Sequence, residues 1–210
     1  MEVNLLKLEV KLTFSLDAYH VSADRLSFGI DKAICLDYSE DKLLIPATSL
    51  KGVIRHNAEN VLRSKGIEIC LSPRPDKTCG RCIICRFFGS PKNKSLLIFE
   101  DATTKGSERS ERVGVSIERR RRTAKKDRLF SMEIGYSSMF LTTIRGIFPS
   151  RDSALFACAL LYIGVRSGFA IGGSKSRGLG WINLEEFKAT INGLDVSIEE
   201  IKNKIKEVLE

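Results

Sequence analysis

Residues 150–187 read SRDSALFACALLYIGVRSGFAIGGSKSRGLGWINLEEF, and the order of the patterns within them decides the fold. An apolar helical pattern comes first, a glycine-rich loop follows, and a strand pattern that includes Trp181 comes last. The segment does not match the P-loop motif, because Gly168 and Gly173 have the required spacing but are followed by Ser174, so that Lys175 comes one place late. A dinucleotide fingerprint fails on order, since it follows a strand and opens a helix. The glycines and cations favour a phosphate-binding loop, and a flexible turn with solvated charges is the alternative.

The remaining patterns place this segment at the end of an α+β unit. Residues 3–19 alternate like a long strand, and residues 48–66 have a Thr48/Ser49 start signal and a glycine at the end, as a helix should. Further strands are predicted at 95–104, at 138–148, and on both sides of a cationic hairpin tip within 113–136. Strand, helix, strands, helix, strand predicts a ferredoxin-like α+β fold, with a terminal helix that begins at Ser197.

Charge is distributed unevenly along the chain. The 34 basic and 26 acidic residues give a net charge of +8. Residues 105–128 hold ten Lys or Arg and four Asp or Glu, whereas acidic side chains gather near the C-terminus. Such segregation indicates a face that binds a polyanion, most often a nucleic acid. A membrane surface fits less well because no amphipathic anchor is visible.

The sequence shows no targeting signal. The N-terminal residues alternate instead of forming a signal peptide, and the longest apolar run, 154–165, is short of the roughly 20 residues that span a bilayer. We therefore expect a cytoplasmic protein whose six cysteines do not form disulfides.

Four cysteines form one cluster in CLSPRPDKTCGRCIIC. Two overlapping C-x-x-C units with a further thiol upstream can surround a tetrahedral Zn²⁺. The predicted ligands are Cys70, Cys79, Cys82 and Cys85. An iron–sulfur cluster and free thiols are alternatives, and His56 on the preceding helix could replace Cys70. The adjacent Phe87 and Phe88 are expected to pack in the core.

Five motifs together resemble the RAMP superfamily of CRISPR proteins, and most closely the repeated backbone subunit of type III effector complexes. They are LIPATSLKGVIRHNAE (44–59), CGRCIICRFFGS (79–90), LLIFEDA (96–102), VSIERRRRTAKKDRLFSMEI (115–134) and IGGSKSRGLGWI (171–182). The resemblance implies one RRM-like palm domain over 1–210, with a zinc-binding insertion at 67–94 and a protruding basic thumb hairpin at 105–136. It also implies copies that stack with one another and with other RAMP subunits along a guide RNA that pairs with a target RNA, with no membrane partner.

The resemblance also assigns RNA-binding residues. Lys51 and Arg55 lie four residues apart and share one helix face, so they can reach successive phosphates. His20 resembles the palm histidine of the family, and a polar loop residue is the alternative. The remaining candidates are Arg119, Arg120, Arg121, Arg122, Lys125 and Lys126 of the hairpin, and Gly172, Gly173, Lys175, Arg177, Gly178 and Gly180 of the glycine loop.

The catalytic candidate lies in SFGIDKAICLD. The slicing subunits of the family carry an aspartate after a glycine-containing turn, and Asp31 occupies that place, with Asp37 as the second choice. Its carboxylate could hold Mg²⁺ or orient a ribose 2′-hydroxyl beside an unstacked nucleotide. The resemblance implies cuts about six nucleotides apart in the target. Phe28 and Ala47 replace glycines of the family pattern. A non-catalytic RNA-binding scaffold is one alternative. A RAMP endonuclease that processes guide precursors with a histidine base is another.

Overall fold

The computed structural model describes residues 5–22, 27–37, 42–70, 74, 77–105, 108–168 and 170–209. The strands are β1 (Leu6–Tyr19), β2 (Leu36–Asp37), β3 (Lys42–Ile45), β4 (Leu97–Phe99), β5 (Ala102–Thr103), β6 (Arg109–Glu118), β7 (Thr123–Phe148), β8 (Ile182–Ile191) and β9 (Leu194–Asp195). The helices are α1 (Ala47–Ser64), α2 (Ile83–Phe88), α3 (Arg151–Arg166) and α4 (Ile198–Leu209). No helix in these ranges is long and apolar enough to cross a membrane.

Four strands and two helices form the centre of the fold. The antiparallel order is β8, β1, β7, β4, with Leu8 of β1 opposite Ile191 on one side and Gly146 on the other. Helices α1 and α3 pack against each other and cover one face of this sheet. This mixed α+β arrangement with a large antiparallel sheet agrees with the ferredoxin-like prediction.

Apolar residues alternate along the central strand β1 and place one of its faces against the helices. Leu8, Val10, Leu12, Phe14 and Leu16 are buried under the helices, whereas the residues between them are partly or fully exposed on the other face. The helices approach closely because Gly164 of α3 has no side chain. A Cβ atom there would lie 2.4 Å from the backbone oxygen of Ile54 in α1.

The structure corrects some local predictions and confirms others. β7 is one continuous strand, so the predicted break before residue 138 was wrong. Helix α1 begins without a Thr48/Ser49 side-chain cap; the backbone N–H of Ala47 instead donates to Asp101 Oδ1 at 2.7 Å. The strand predicted at 95–104 is split into β4 and β5. The start of α4 is confirmed, because the hydroxyl of Ser197 accepts a hydrogen bond from Glu200 N at 3.1 Å.

Strands β6 and β7 form a hairpin beyond the sheet. The turn at its tip spans 119–122, where Arg122 has a φ of 55° and its N–H donates to Glu118 O at 2.7 Å. Nearly every residue from 109 to 129 is exposed, on both faces of the ribbon. A two-stranded ribbon without a buried face is marginally stable alone, so an RNA or protein partner would add to its order.

Candidate nucleic-acid interface and metal centre

The base of the hairpin lies between two loops that the sequence singled out. Alternation along β7 directs Ser131 and Glu133 toward the Asp31 segment, where both make side-chain hydrogen bonds. Met132 and Ile134 point the other way and pack with Leu179 of the glycine loop. One short stretch of strand therefore holds the candidate catalytic segment on one side and the candidate phosphate-binding loop on the other.

Asp31 is exposed and fixed by Ser131. Its Oδ2 atom accepts from Ser131 N at 2.7 Å, and its own N–H donates to Ser131 Oγ at 3.1 Å. The same hydroxyl donates to Gly29 O at 2.9 Å. Next in the chain, Lys32 pairs with the edge of β7 through its backbone, and Ile34 N donates to Glu133 Oε2 at 3.0 Å. The segment that carries Asp31 is thus attached to the hairpin base at successive residues.

The glycine loop is seated on the backbone of residues 18–20. Gly173 N donates to His20 O at 2.7 Å, and Gly180 N donates to Ala18 O at 2.6 Å. Gly172 has a φ of 81°, and a Cβ atom there would lie 2.2 Å from His20 O. Lys175–Arg177 form an exposed 3-10 turn between these anchors. The loop therefore requires glycine at Gly172 for both its backbone conformation and its close approach.

The ring of His20 is buried beside the glycine loop. Its side chain is 2% exposed, its Nδ1 lies 2.7 Å from Glu133 O, and its Nε2 lies 2.9 Å from Ser22 Oγ. Because both ring nitrogens have protein partners, the geometry favours a role in positioning the loop. Direct RNA contact by this ring stays a prediction.

A groove of about 370 Å³ separates the glycine loop from α1. It is lined by Thr48, Ser49, Gly52, Val53, His56, Asn57, Ile171, Gly172 and Lys175. The groove is suited to binding a phosphate group, because it offers hydroxyls, a lysine and the N-terminal turn of an 18-residue helix. The sequence reading missed Thr48, Ser49 and His56 as lining residues, although their spacing along one helix face was the available signal.

Lys51 and Arg55 share a face of α1, as predicted, but that face contacts β4 and the cysteine segment. Lys51 Nζ lies 5.7 Å from the centre of the Phe99 ring, and burial followed by the nearby Arg55 charge lowers the pKa of Lys51. Arg55 Nε pairs with Glu59 at 2.9 Å, and Arg55 Nη1 donates to Gly89 O at 2.8 Å. Phosphate contacts by this pair stay a prediction, and Arg55 already has protein partners.

The hairpin cations are all presented to solvent. Arg119, Arg120, Arg121, Arg122, Lys125 and Lys126 are exposed. At the other end of the hairpin, Arg112 Nη1 donates to Arg177 O of the glycine loop at 3.3 Å. The basic ribbon is thus connected at its base to the basic loop.

Asp37 lies in a different part of the surface. It belongs to β2 and lines an open groove of about 940 Å³ together with Lys42, Tyr136 and Met139. Asp31 does not line that groove. The two candidate carboxylates therefore lie on separate surfaces.

The four predicted cysteines converge. Their sulfur atoms all lie within 4.8 Å of one another, and Cys70 Sγ is 3.7 Å from Cys82 Sγ and 3.5 Å from Cys85 Sγ. Tetrahedral Zn²⁺ with Zn–S bonds of about 2.3 Å requires sulfur separations of about 3.8 Å, so the donor set fits one such ion. The cysteines of a four-iron cluster bind different irons and would be farther apart.

Hydrogen bonds and burial shift the pKa values of the clustered thiols. The backbone N–H groups of Arg81 and Cys82 point at Cys79 Sγ, at 3.5 and 3.2 Å, and these donors lower the pKa of Cys79 to about 6. Burial raises the pKa of Cys85 to about 12. Zn²⁺ would supply the charge that keeps the buried thiols deprotonated. Instead of joining the cluster, His56 contacts Asn60, with His56 Nε2 3.1 Å from Asn60 Nδ2.

Aromatic residues attach the cysteine segment to the core. Phe87 stacks on Phe156 with ring centres 5.2 Å apart, and Phe88 lies 6.2 Å from Phe99. Both phenylalanines are buried, which confirms the prediction that they are core residues. An ion at the four cysteines would cross-link the chain after α1 to the start of α2.

Comparison with known families agrees with this arrangement. The model of the RAMP superfamily matches residues 20–183, which is well over half of the chain and includes Asp31, the four cysteines, the hairpin and the glycine loop. No match is found among curated proteins. RAMP proteins bind RNA and act in multi-subunit CRISPR complexes. The chain belongs to the RAMP superfamily of CRISPR-associated RNA-binding proteins.

Proposed function

We propose that this protein is the repeated backbone subunit of a type III CRISPR effector, which binds guide RNA along a filament and cuts the paired target RNA. One observation carries the proposal: the base of a basic hairpin is held between a glycine loop and an exposed aspartate. A subunit of this kind needs to hold the guide RNA, distort the paired target RNA and place a catalytic group beside the distortion. The three elements offer these functions within one connected unit.

Guide binding is assigned to the groove between α1 and the glycine loop. The groove presents Lys175, hydroxyls and backbone groups, which contact phosphates whatever the sequence of the bases. Arg177 is exposed on the same loop and adds a second cation. Binding that depends on the backbone suits a subunit that must accept any guide.

Target cleavage is assigned to Asp31. Its Oδ2 atom is occupied by Ser131 N, while Oδ1 has no hydrogen-bond partner in the part of the chain that the structure describes. This carboxylate oxygen can accept the proton of a ribose 2′-hydroxyl, whose oxygen then attacks the adjacent phosphorus and displaces the 5′-oxygen, which takes up a proton from water. The products are a 2′,3′-cyclic phosphate and a 5′-hydroxyl, and such catalysis is worth about 10²- to 10⁴-fold. Mg²⁺, where it binds, would stabilise charge on the phosphate.

In the endonuclease alternative, the environment of His20 argues against this ring as the base, which leaves the exposed His56 of the groove as the candidate. A general base must reach the proton that it removes, yet the His20 ring is buried and both of its nitrogens have protein partners. The scaffold alternative predicts the same binding without cleavage, and the test separates the two.

The test is cleavage of a complementary target by a complex reconstituted from this chain, its partner subunits and a guide RNA. We expect cuts about six nucleotides apart, each with an unstacked nucleotide at the cut. Asp31→Asn should abolish the cuts without weakening target binding, because an amide oxygen can still accept from Ser131 N. Asp37→Asn is the matched control and should cut normally, since Asp37 lines a different groove.

The outcomes are distinct. A wild-type complex that binds target but never cuts it supports the scaffold function. A complex whose Asp31→Asn variant cuts at the full rate removes Asp31 from the mechanism. Shortening the hairpin tip, residues 119–126, should blur the spacing of the cuts and weaken assembly, because this exposed basic ribbon is assigned to the distortion of the duplex.

A further inference from the structure

Phe28 stands out because its whole side chain is exposed to water. Complete burial of a phenylalanine side chain is worth about 1.5–3 kcal/mol, and this residue gains none of it in the isolated chain. The ring also lies three residues before Asp31. A partner outside the chain would bury this apolar side chain.

The turn that carries Phe28 is fixed. Ile30 N donates to Ser27 O at 3.2 Å, and Gly29 at the third position of the turn has a φ of 76°. Gly29 O accepts from Ser131 Oγ at 2.9 Å, which attaches the turn to the hairpin base. The ring is therefore presented by a turn that is hydrogen-bonded within itself and to β7, and little ordering is needed when a partner binds.

The surroundings of the ring fit a nucleic-acid base better than a protein surface. The described neighbours in the chain are polar, small or charged, namely Ser27, Gly29, Asp31 and Lys32, apart from the half-buried Ile30, so the exposed surface of this turn is largely polar. Lys32 Nζ lies 5.9 Å from the ring of Phe130, which places a cation in the same segment. A planar base can cover one aromatic face while its polar edges and its phosphate stay near water and cations.

We propose that Phe28 is a stacking platform for an unpaired RNA base held beside Asp31. The inference rests on the proposed RNA binding and deepens it, because it names the ring that holds the base. The contact tolerates any base, since every base has a π-face.

The test uses the full chain and a labelled adenosine RNA of about 12 nucleotides, within the range of known single-strand site sizes. Phe28→Leu keeps the apolar volume and removes the aromatic face, and we expect it to weaken binding by about 5- to 100-fold in fluorescence anisotropy. Phe28→Trp should bind within about twofold of the wild type, because indole stacks at least as well. Leu194→Ala removes another exposed apolar side chain, on β9, and should change nothing.

Two further measurements separate stacking from charge. An abasic RNA of the same length should bind the wild type and Phe28→Leu equally, because it offers phosphates without bases. Phe28→Leu should also leave the salt dependence of binding unchanged, since no phosphate contact is lost.

Equal affinity of wild type and Phe28→Leu for the adenosine RNA would overturn the inference. If Phe28→Leu instead lowers self-association in sedimentation velocity, the ring contacts a second protein copy. No RNA binding by the wild type would reject the RNA-binding proposal together with this one.

Discussion

Replacement of Gly172 by alanine tests whether the glycine loop is seated on the backbone of His20. A Cβ atom at this position would lie 2.2 Å from His20 O, the same atom that accepts the hydrogen bond from Gly173 N at 2.7 Å. Backbone atoms cannot move aside as the end of a long side chain can, so the loop must shift. The shift would break the hydrogen bond and move Lys175 relative to α1.

A matched substitution in the same loop separates the two costs. Gly178 has a φ of 83°, close to the 81° of Gly172, but a Cβ atom there meets nothing within 4 Å. Gly178→Ala should therefore cost only the left-handed backbone strain, about 1–2 kcal/mol. Gly172→Ala carries the same strain plus overpacking of about 1–3 kcal/mol, or roughly 2–5 kcal/mol in all.

The assay is urea unfolding of both variants alongside RNA binding. For a chain of this size, 1 kcal/mol corresponds to a shift in Tm of about 2–4 °C, so the two variants are resolved by thermal unfolding as well. Gly172→Ala should weaken RNA binding more than Gly178→Ala does. Equal destabilisation by both variants would refute the close approach at His20, and unchanged RNA affinity in Gly172→Ala would refute the role of the loop.

Three further predictions follow from the metal centre, the basic loop and a buried thiol. The purified protein should contain about one Zn per chain, and Cys82→Ser or a strong chelator should remove the metal and lower Tm; absence of zinc, or an iron chromophore, would contradict the site. The affinity for single-stranded RNA should fall by roughly 0.7 log units per log unit of salt for each neutralised phosphate, and Lys175→Ala with Arg177→Ala should flatten that slope by about one to two units; a salt-independent affinity would point to another surface. Burial raises the pKa of Cys158 to about 12, so at pH 8 only about one thiol in 10⁴ is ionised, and Cys158 should resist alkylation until the protein unfolds; rapid labelling of this thiol in the folded protein would contradict its burial.

Features that depend on local patterns were predictable from the sequence. The apolar alternation of β1 and the helical patterns of α1, α3 and α4 led to the correct element types, because a strand or helix that buries one face must repeat with its own period. The spacing of the cysteines selected four thiols whose sulfur atoms the fold does bring within 4.8 Å of one another, since a C-x-x-C turn brings both sulfurs to one side.

Features set by tertiary packing were not predictable from the sequence. A helical pattern predicts that Lys51 and Arg55 share a face, but the rotation of α1 depends on how α1 packs against Gly164 of α3. That rotation turns the pair toward Phe99 and Gly89. His20 was predicted from the resemblance alone, and the partner of its Nδ1 atom, Glu133 O of β7, lies 113 residues away in the sequence, whereas Nε2 contacts the nearby Ser22. No local signal carries such a contact.

The continuity of β7 has a mechanical consequence for the proposed function. One strand runs from the core through the hairpin base to the cationic tip, with an irregularity at Asp127, whose φ is 56°, so a displacement of the tip would reach Ser131 and Glu133 through that irregularity. These two residues hold the Asp31 segment through hydrogen bonds of 2.7–3.1 Å to Asp31 and Ile34. A hairpin displaced by an RNA duplex would therefore move Asp31 with it. Under the proposed function, the strand assigned to the distortion of the target would also position the carboxylate, which would couple cleavage to correct binding.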